Sequence, residues 1–179
     1  MSSRPTDGSA LLEMEFTPDW SFINDVRSFV ETFCERGRVP IERASAVALT
    51  VHELLQNAID YSTDGRAKLR LHLDAPQQRI TLSVESHGNP EKVEGLLQLM
   101  QRLEQEPDPL KLYLALMKET AKKKGGSGLG LARIRFEGGM DLKIEVEEDL
   151  VRVTATSTME PPAPLVQQLR GPRKDATHG

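Results

Sequence analysis

The sequence predicts an α+β domain, a two-layer sandwich in which a mixed, mostly antiparallel sheet carries its helices on one face. Two patterns carry this expectation. Paired segments with one-for-one apolar alternation are joined by short turns, the pattern of hairpins with one wet face. Between them lie longer segments whose apolar residues recur every three or four positions, the pattern of amphipathic helices. The order is strand, two helices, hairpin, helices, a glycine-rich loop opening a further helix, and a second hairpin. Strands and helices in that order sort into two layers. The chain has 179 residues, enough for one domain with a full core and a tail.

Taken in order, residues 1–9 are small and polar and are expected to be disordered. The domain is expected over 10–158, beginning with a strand over Leu11 to Phe16. Thr17-Pro18-Asp19 reads as a turn and N-cap. Phe22, Ile23, Val26, Phe29, Val30 and Phe33 then place a helix over about 20–35. Gly37 and Pro40 punctuate. A second helix runs from near Ile41 to about Tyr61 and is closed by Thr63-Asp64-Gly65. Ala67 to Leu73 and Arg79 to Glu85 alternate on either side of Pro76-Gln77-Gln78, giving a hairpin. Ser86-His87-Gly88-Asn89-Pro90 reads as a break, with His87 as a surface loop residue. A Leu-rich helix follows over 91–105, Pro107-Asp108-Pro109 interrupts it, and 110–121 forms another. The glycine cluster then opens a helix ending near Gly138-Gly139. Met140 to Val146 and Val151 to Ser157 close the domain around Glu147-Glu148-Asp149. From 159 onward, prolines and mixed charges suggest a disordered tail.

Composition narrows the function. The hydrophobic fraction is 38% and the net charge −4, which gives no ground for nucleic acid or membrane partners, since both favour basic patches. A single cysteine, Cys34, cannot form an internal disulfide and suits a reducing compartment. No apolar run approaches the roughly 20 residues of a membrane span, and no signal-peptide core is present. A cytoplasmic protein is expected.

Two stretches offer chemistry. In Lys122-Lys123-Lys124-Gly125-Gly126-Ser127-Gly128-Leu129-Gly130-Leu131, lysines run into glycines and a helical pattern follows at once. Glycines let backbone amides turn toward a ligand, and a helix N-terminus adds unpaired N–H groups and partial positive charge, which suits a phosphate. A plain loop is the alternative. The lysines, too, read either as ligand contacts or as cations favoured at a helix C-terminus. On the second helix Glu53 and Asn57 stand at i and i+4, which stacks them about 5–6 Å apart at Cβ. A carboxylate beside a carboxamide suits a hard divalent cation, and the carboxylate could serve as general base. Solvent exposure of both is the competing reading.

Glu53-Leu54-Leu55-Gln56-Asn57-Ala58, then a strand ending in Val84-Glu85-Ser86-His87-Gly88, then Gly126-Ser127-Gly128-Leu129-Gly130-Leu131 occur in that order. The arrangement resembles the Bergerat-fold ATP-binding family of gyrase, histidine-kinase and anti-sigma-factor type, over roughly residues 10–157. The resemblance implies ATP and Mg²⁺ as ligands. It implies Glu53 as the acidic residue that orients the attacking group and Asn57 as the magnesium ligand. It also places Asp60, Ser86, Gly88, Lys124, Gly126, Ser127, Gly128, Leu129 and Gly130 around the nucleotide, with residues 91–125 as a lid.

One position departs from the family. Ser86 stands where its aspartate reads the adenine amino group, and Pro90 where a second glycine is usual. A serine hydroxyl can accept the same bond without the charge. A stand-alone domain of this size resembles the anti-sigma-factor and serine-kinase branch, which implies an ATP-dependent serine kinase acting on a small anti-anti-sigma partner, and a sigma factor as a further partner. The alternative is a binding module with a degenerate nucleotide site. The Leu and Met stripe over 93–117 reads as core or lid packing, or as surface for a homodimer.

Overall fold

In the computed structural model, which describes residues 8–17, 19–122 and 128–164, five strands and five helices alternate in the expected order. Strand β1 (Ala10–Phe16) leads into α1 (Trp20–Arg36) and α2 (Ile41–Tyr61). The hairpin β2 (Ala67–Asp74) and β3 (Arg79–His87) comes next, followed by α3 (Pro90–Gln105) and α4 (Pro109–Lys122). Helix α5 (Leu129–Phe136) and the hairpin β4 (Asp141–Glu147) and β5 (Leu150–Thr158) complete the body. The sheet order is β1-β2-β3-β5-β4, and every pairing is antiparallel.

Alternation along the strands decides which face is covered. Leu69, Leu71 and Leu73 of β2, Ile80, Leu82 and Val84 of β3, and Val151, Val153 and Ala155 of β5 are buried toward the helices. Their neighbours form an open face laced with charge, where Glu13–Arg70 and Glu85–Arg152 pair at 2.7 Å across adjacent strands. Such exposed cross-strand pairs contribute little each but hold the register that keeps the leucines inward. Helix α2 supplies the middle of the core, with Ala44, Val47, Ala48, Val51, Leu54 and Leu55 buried, and α1 packs on it through Ile23, Val26 and Val30.

Helix starts follow the caps in the sequence. Asp19 Oδ1 accepts from the Ser21 and Phe22 amides at 2.8 and 3.0 Å, and Asn89 Oδ1 accepts from the Glu91 amide at 3.0 Å ahead of α3. Each side chain answers amides that have no partner inside the helix. The break expected from Ser86 starts later: β3 runs on to His87, because Ser86 and His87 pair with Val151 and Leu150 of β5. The chain also stays on the body past β5. Met159 is buried, and Arg43, itself 4% exposed, donates to the Glu160 and Gly138 carbonyls at 2.7 Å each.

Candidate functional site

The Glu53–Asn57 face of α2 meets the start of α5. Glu53 is buried, so the solvent-exposed reading of this carboxylate does not hold. Its Oε2 lies 2.6 Å from where a Cβ on Gly130 would stand, so any larger residue there would push the carboxylate out of this position. Its Oε1 accepts a hydrogen bond from Arg133 Nη1 at 2.9 Å. Arg133 in turn donates from Nε to Glu137 Oε2 at 3.0 Å, and the Tyr113 hydroxyl of α4 donates to Glu137 Oε1 at 3.3 Å. One turn beyond Glu53, Asn57 Nδ2 is buried with no hydrogen-bond partner. A buried amide left unpaired costs about 1–3 kcal/mol, so its persistence calls for a reason.

Gly128, the described end of the glycine cluster, stands at the N-terminal side of α5. Gly128 caps the helix at φ 153° and Leu129 is its first residue, half-buried against the core. Lys124, Gly126 and Ser127, expected around the phosphates, lie outside the described residues. Asp60 is exposed at the far end of α2, where its carbonyl accepts from the Lys92 ammonium.

Ser86 points into a small cavity formed with Leu54, Asn57, Ala58 and Tyr61 of α2, Val84 of β3, Val151 and Val153 of β5, and Leu96 of α3. This is where the resemblance places the base. The cavity holds ≈ 20 Å³, room for about one water and far below the roughly 300 Å³ at which ligand pockets begin. Leu96, only 3% exposed, forms one of its walls. Its neighbour one turn on, Leu99, reaches within 3.4 Å of a Cβ built on Gly128. Helices α3 and α4 therefore pack as part of the core, burying Val93, Leu96, Leu99, Met100, Leu103, Leu112 and Leu116. Gly88 is explained by packing: a Cβ there would meet Val93 Cγ2 at 2.6 Å and Val151 Cγ2 at 3.0 Å. His87, half-exposed on β3, stands 3.3 Å from Asp149 and outside the site.

Residues 16–136, about two thirds of the chain, match the family model described as the histidine kinase-like ATPase domain. The chain belongs to that family. A chain of the crystal structure of the SiaB–SiaC complex from Pseudomonas aeruginosa shares the fold, with a TM-score of 0.62 and 15% identity over 82% of this chain and 88% of that one. No curated protein matches.

Membership implies ATP, usually with Mg²⁺, and the residues present can be tested against both. At the phosphate end they fit. A glycine-lined helix start and the buried Glu53 carboxylate meet there, and anions are favoured at a helix N-terminus. Among the described residues no group of three His, Cys, Asp or Glu could hold a metal unaided. A Mg²⁺ held by one protein oxygen and by phosphates, as is usual for that ion, asks for no such group. At the base end the residues do not fit, since the cavity beside Ser86 holds only ≈ 20 Å³. Among the described residues, no helix is long and apolar enough to cross a membrane.

Proposed function

We propose that this chain is an ATP-dependent protein serine kinase of the anti-sigma-factor type, cytoplasmic, acting on a small anti-anti-sigma-type protein in a partner-switching system. The observation that carries the reading is the buried Glu53 set against Gly130, one helical turn from Asn57, whose amide oxygen is the kind of ligand a divalent cation takes. Phosphoryl transfer needs a group beside the phosphates to orient the attacking hydroxyl, and a carboxylate held at a glycine-lined helix start supplies one. Likeness to a chain of the SiaB–SiaC complex supports a protein partner for this chain.

ATP with Mg²⁺ would supply the phosphoryl group and neutralise its charge. The chain's own part is positional. The Asn57 side chain would hold the cation beside the phosphates, and the first amides of α5 would stabilise negative charge. Glu53 would orient the partner's serine hydroxyl and accept its proton. Ser86 would offer the base a neutral hydroxyl in place of the family's carboxylate, which weakens selectivity for adenine first.

A specific observation favours a second reading, a binding module that regulates its partner without catalysis. The ≈ 20 Å³ cavity at Ser86 has no room for a base. Calorimetric titration with a non-hydrolysable ATP analogue, with and without Mg²⁺, separates the two. Magnesium-dependent binding that is lost in Asn57→Ala supports the kinase. Silence up to millimolar nucleotide rejects it and leaves the binding module.

A further inference from the structure

Glu53 is tied into a chain of polar groups that crosses three helices. From α4 the Tyr113 hydroxyl reaches Glu137; Glu137 holds Arg133 Nε; Arg133 Nη1 holds Glu53 on α2. An Arg133–Glu137 pair at i,i+4 alone would be ordinary helix decoration. Here the same guanidinium spans to a carboxylate 80 residues earlier whose side chain is 10% exposed. A planar fork with one arm fixed by Glu137 cannot follow Glu53 if that carboxylate swings, so it sets the direction of Glu53 as well as its charge. On the other side Gly130 leaves Glu53 only the space of a missing Cβ. The Tyr113 ring is fixed too, stacked on Phe136 with centroids 5.2 Å apart and planes 27° from parallel. Both ends of the relay are therefore anchored by packing, and its middle is Arg133.

We propose that Arg133 is the positioning residue for Glu53, and that Glu137 and Tyr113 make its hold depend on how α4 is seated. The proposal rests on the reading of Glu53 as the group that orients the attacking hydroxyl. It adds that a displacement of α4 is transmitted to that carboxylate through hydrogen bonds.

The test compares full-length wild type with Arg133→Gln, Arg133→Lys, Tyr113→Phe and Glu53→Gln. Four quantities are read: kcat and KM for ATP in phosphoryl transfer, nucleotide affinity by calorimetry, and the side-chain carboxyl ¹³C signal of Glu53 in glutamate-labelled protein without nucleotide. Loss of Arg133 should lower kcat about 10–100-fold, the effect of a misplaced orienting group, while KM and nucleotide affinity stay near wild type. Arg133→Lys should recover part of the loss, since charge returns without the fork. Tyr113→Phe keeps the ring stack and should give a smaller fall in kcat. Both Arg133→Gln and Tyr113→Phe should move the Glu53 signal. An Arg133→Gln protein with wild-type kcat and an unmoved Glu53 signal, beside an inactive Glu53→Gln, overturns the proposal and leaves the proposed function standing. If Glu53→Gln transfers as well as wild type, the proposed function and this inference, which rests on it, both fall.

Discussion

Asn57 sets stability against use within one side chain. Its Nδ2 is buried without a partner, while the cavity beside it is lined by Leu54, Ala58, Val84 and Leu96. An apolar side chain of similar size would remove the unpaired donor and suit those walls. Asn57→Leu should therefore raise the stability of the nucleotide-free protein by about 1 kcal/mol and abolish magnesium-dependent nucleotide binding. Urea midpoints and calorimetry read the two effects, and a variant less stable than wild type would mean the amide is paired in solution. At this scale the sequence was partly legible. Glu53 and Asn57 could be found because helical spacing alone stacks i and i+4. Arg133 could not, because its partner Glu53 lies on another helix and no local rule joins them. The one available signal was an arginine between Ala132 and Ile134, both buried in a short helix. A cation in such a place generally has a carboxylate to answer to.

At the scale of elements, boundaries were readable to within a residue or two, because α1 to α4 each carry a clear apolar period and a cap or proline at the start. The strand through Ser86 and His87 was the exception. Its last two residues are specified by β5 across the sheet, and cross-strand pairing leaves no local trace. What an apolar stripe covers is also hidden in sequence. The leucines of α3 announced an inward face, but lid and core read alike. In the structure that face lies over the cavity beside Ser86 and over Gly128. If α3 must shift before a base can enter, apparent affinity is reduced by the fraction of molecules in which it has shifted. Leu96→Ala should then cost about 2–4 kcal/mol of stability and yet tighten nucleotide binding, on the order of tenfold for each 1.4 kcal/mol removed from the closed state. Differential scanning fluorimetry and calorimetry on the same preparation measure both. Weaker binding in this variant would show that Leu96 supports the site instead of filling it.

At the scale of the whole molecule, one buried cation joins segments far apart in sequence. Arg43, in the first turn of α2, donates to the carbonyl of Gly138 after α5 and to that of Glu160 after β5. Burial lowers its pKa from the ordinary guanidinium value, though a group that titrates so high stays charged at neutral pH. Charge-assisted bonds to two carbonyls let it remain inside, since a buried charge without partners would be far costlier. Met159 closes the same corner at 5% exposure, and its amide donates to the Gln78 carbonyl at 2.9 Å. The prolines and charges that begin just beyond made this stretch read as tail, because composition reports solubility and cannot report a single long-range bond. A chain ending at Thr158 would lose the Met159 side chain, worth about 1.5–3 kcal/mol of burial, and would leave a guanidinium N–H unanswered at about 1–3 kcal/mol more. Truncation there should lower stability by about 3 kcal/mol or more. Met159→Ala in the full chain should reproduce the burial part alone, because the Glu160 carbonyl stays to receive Arg43. Chemical denaturation of the two proteins separates the contributions, and equal losses would mean that Arg43 finds another acceptor when Glu160 is removed.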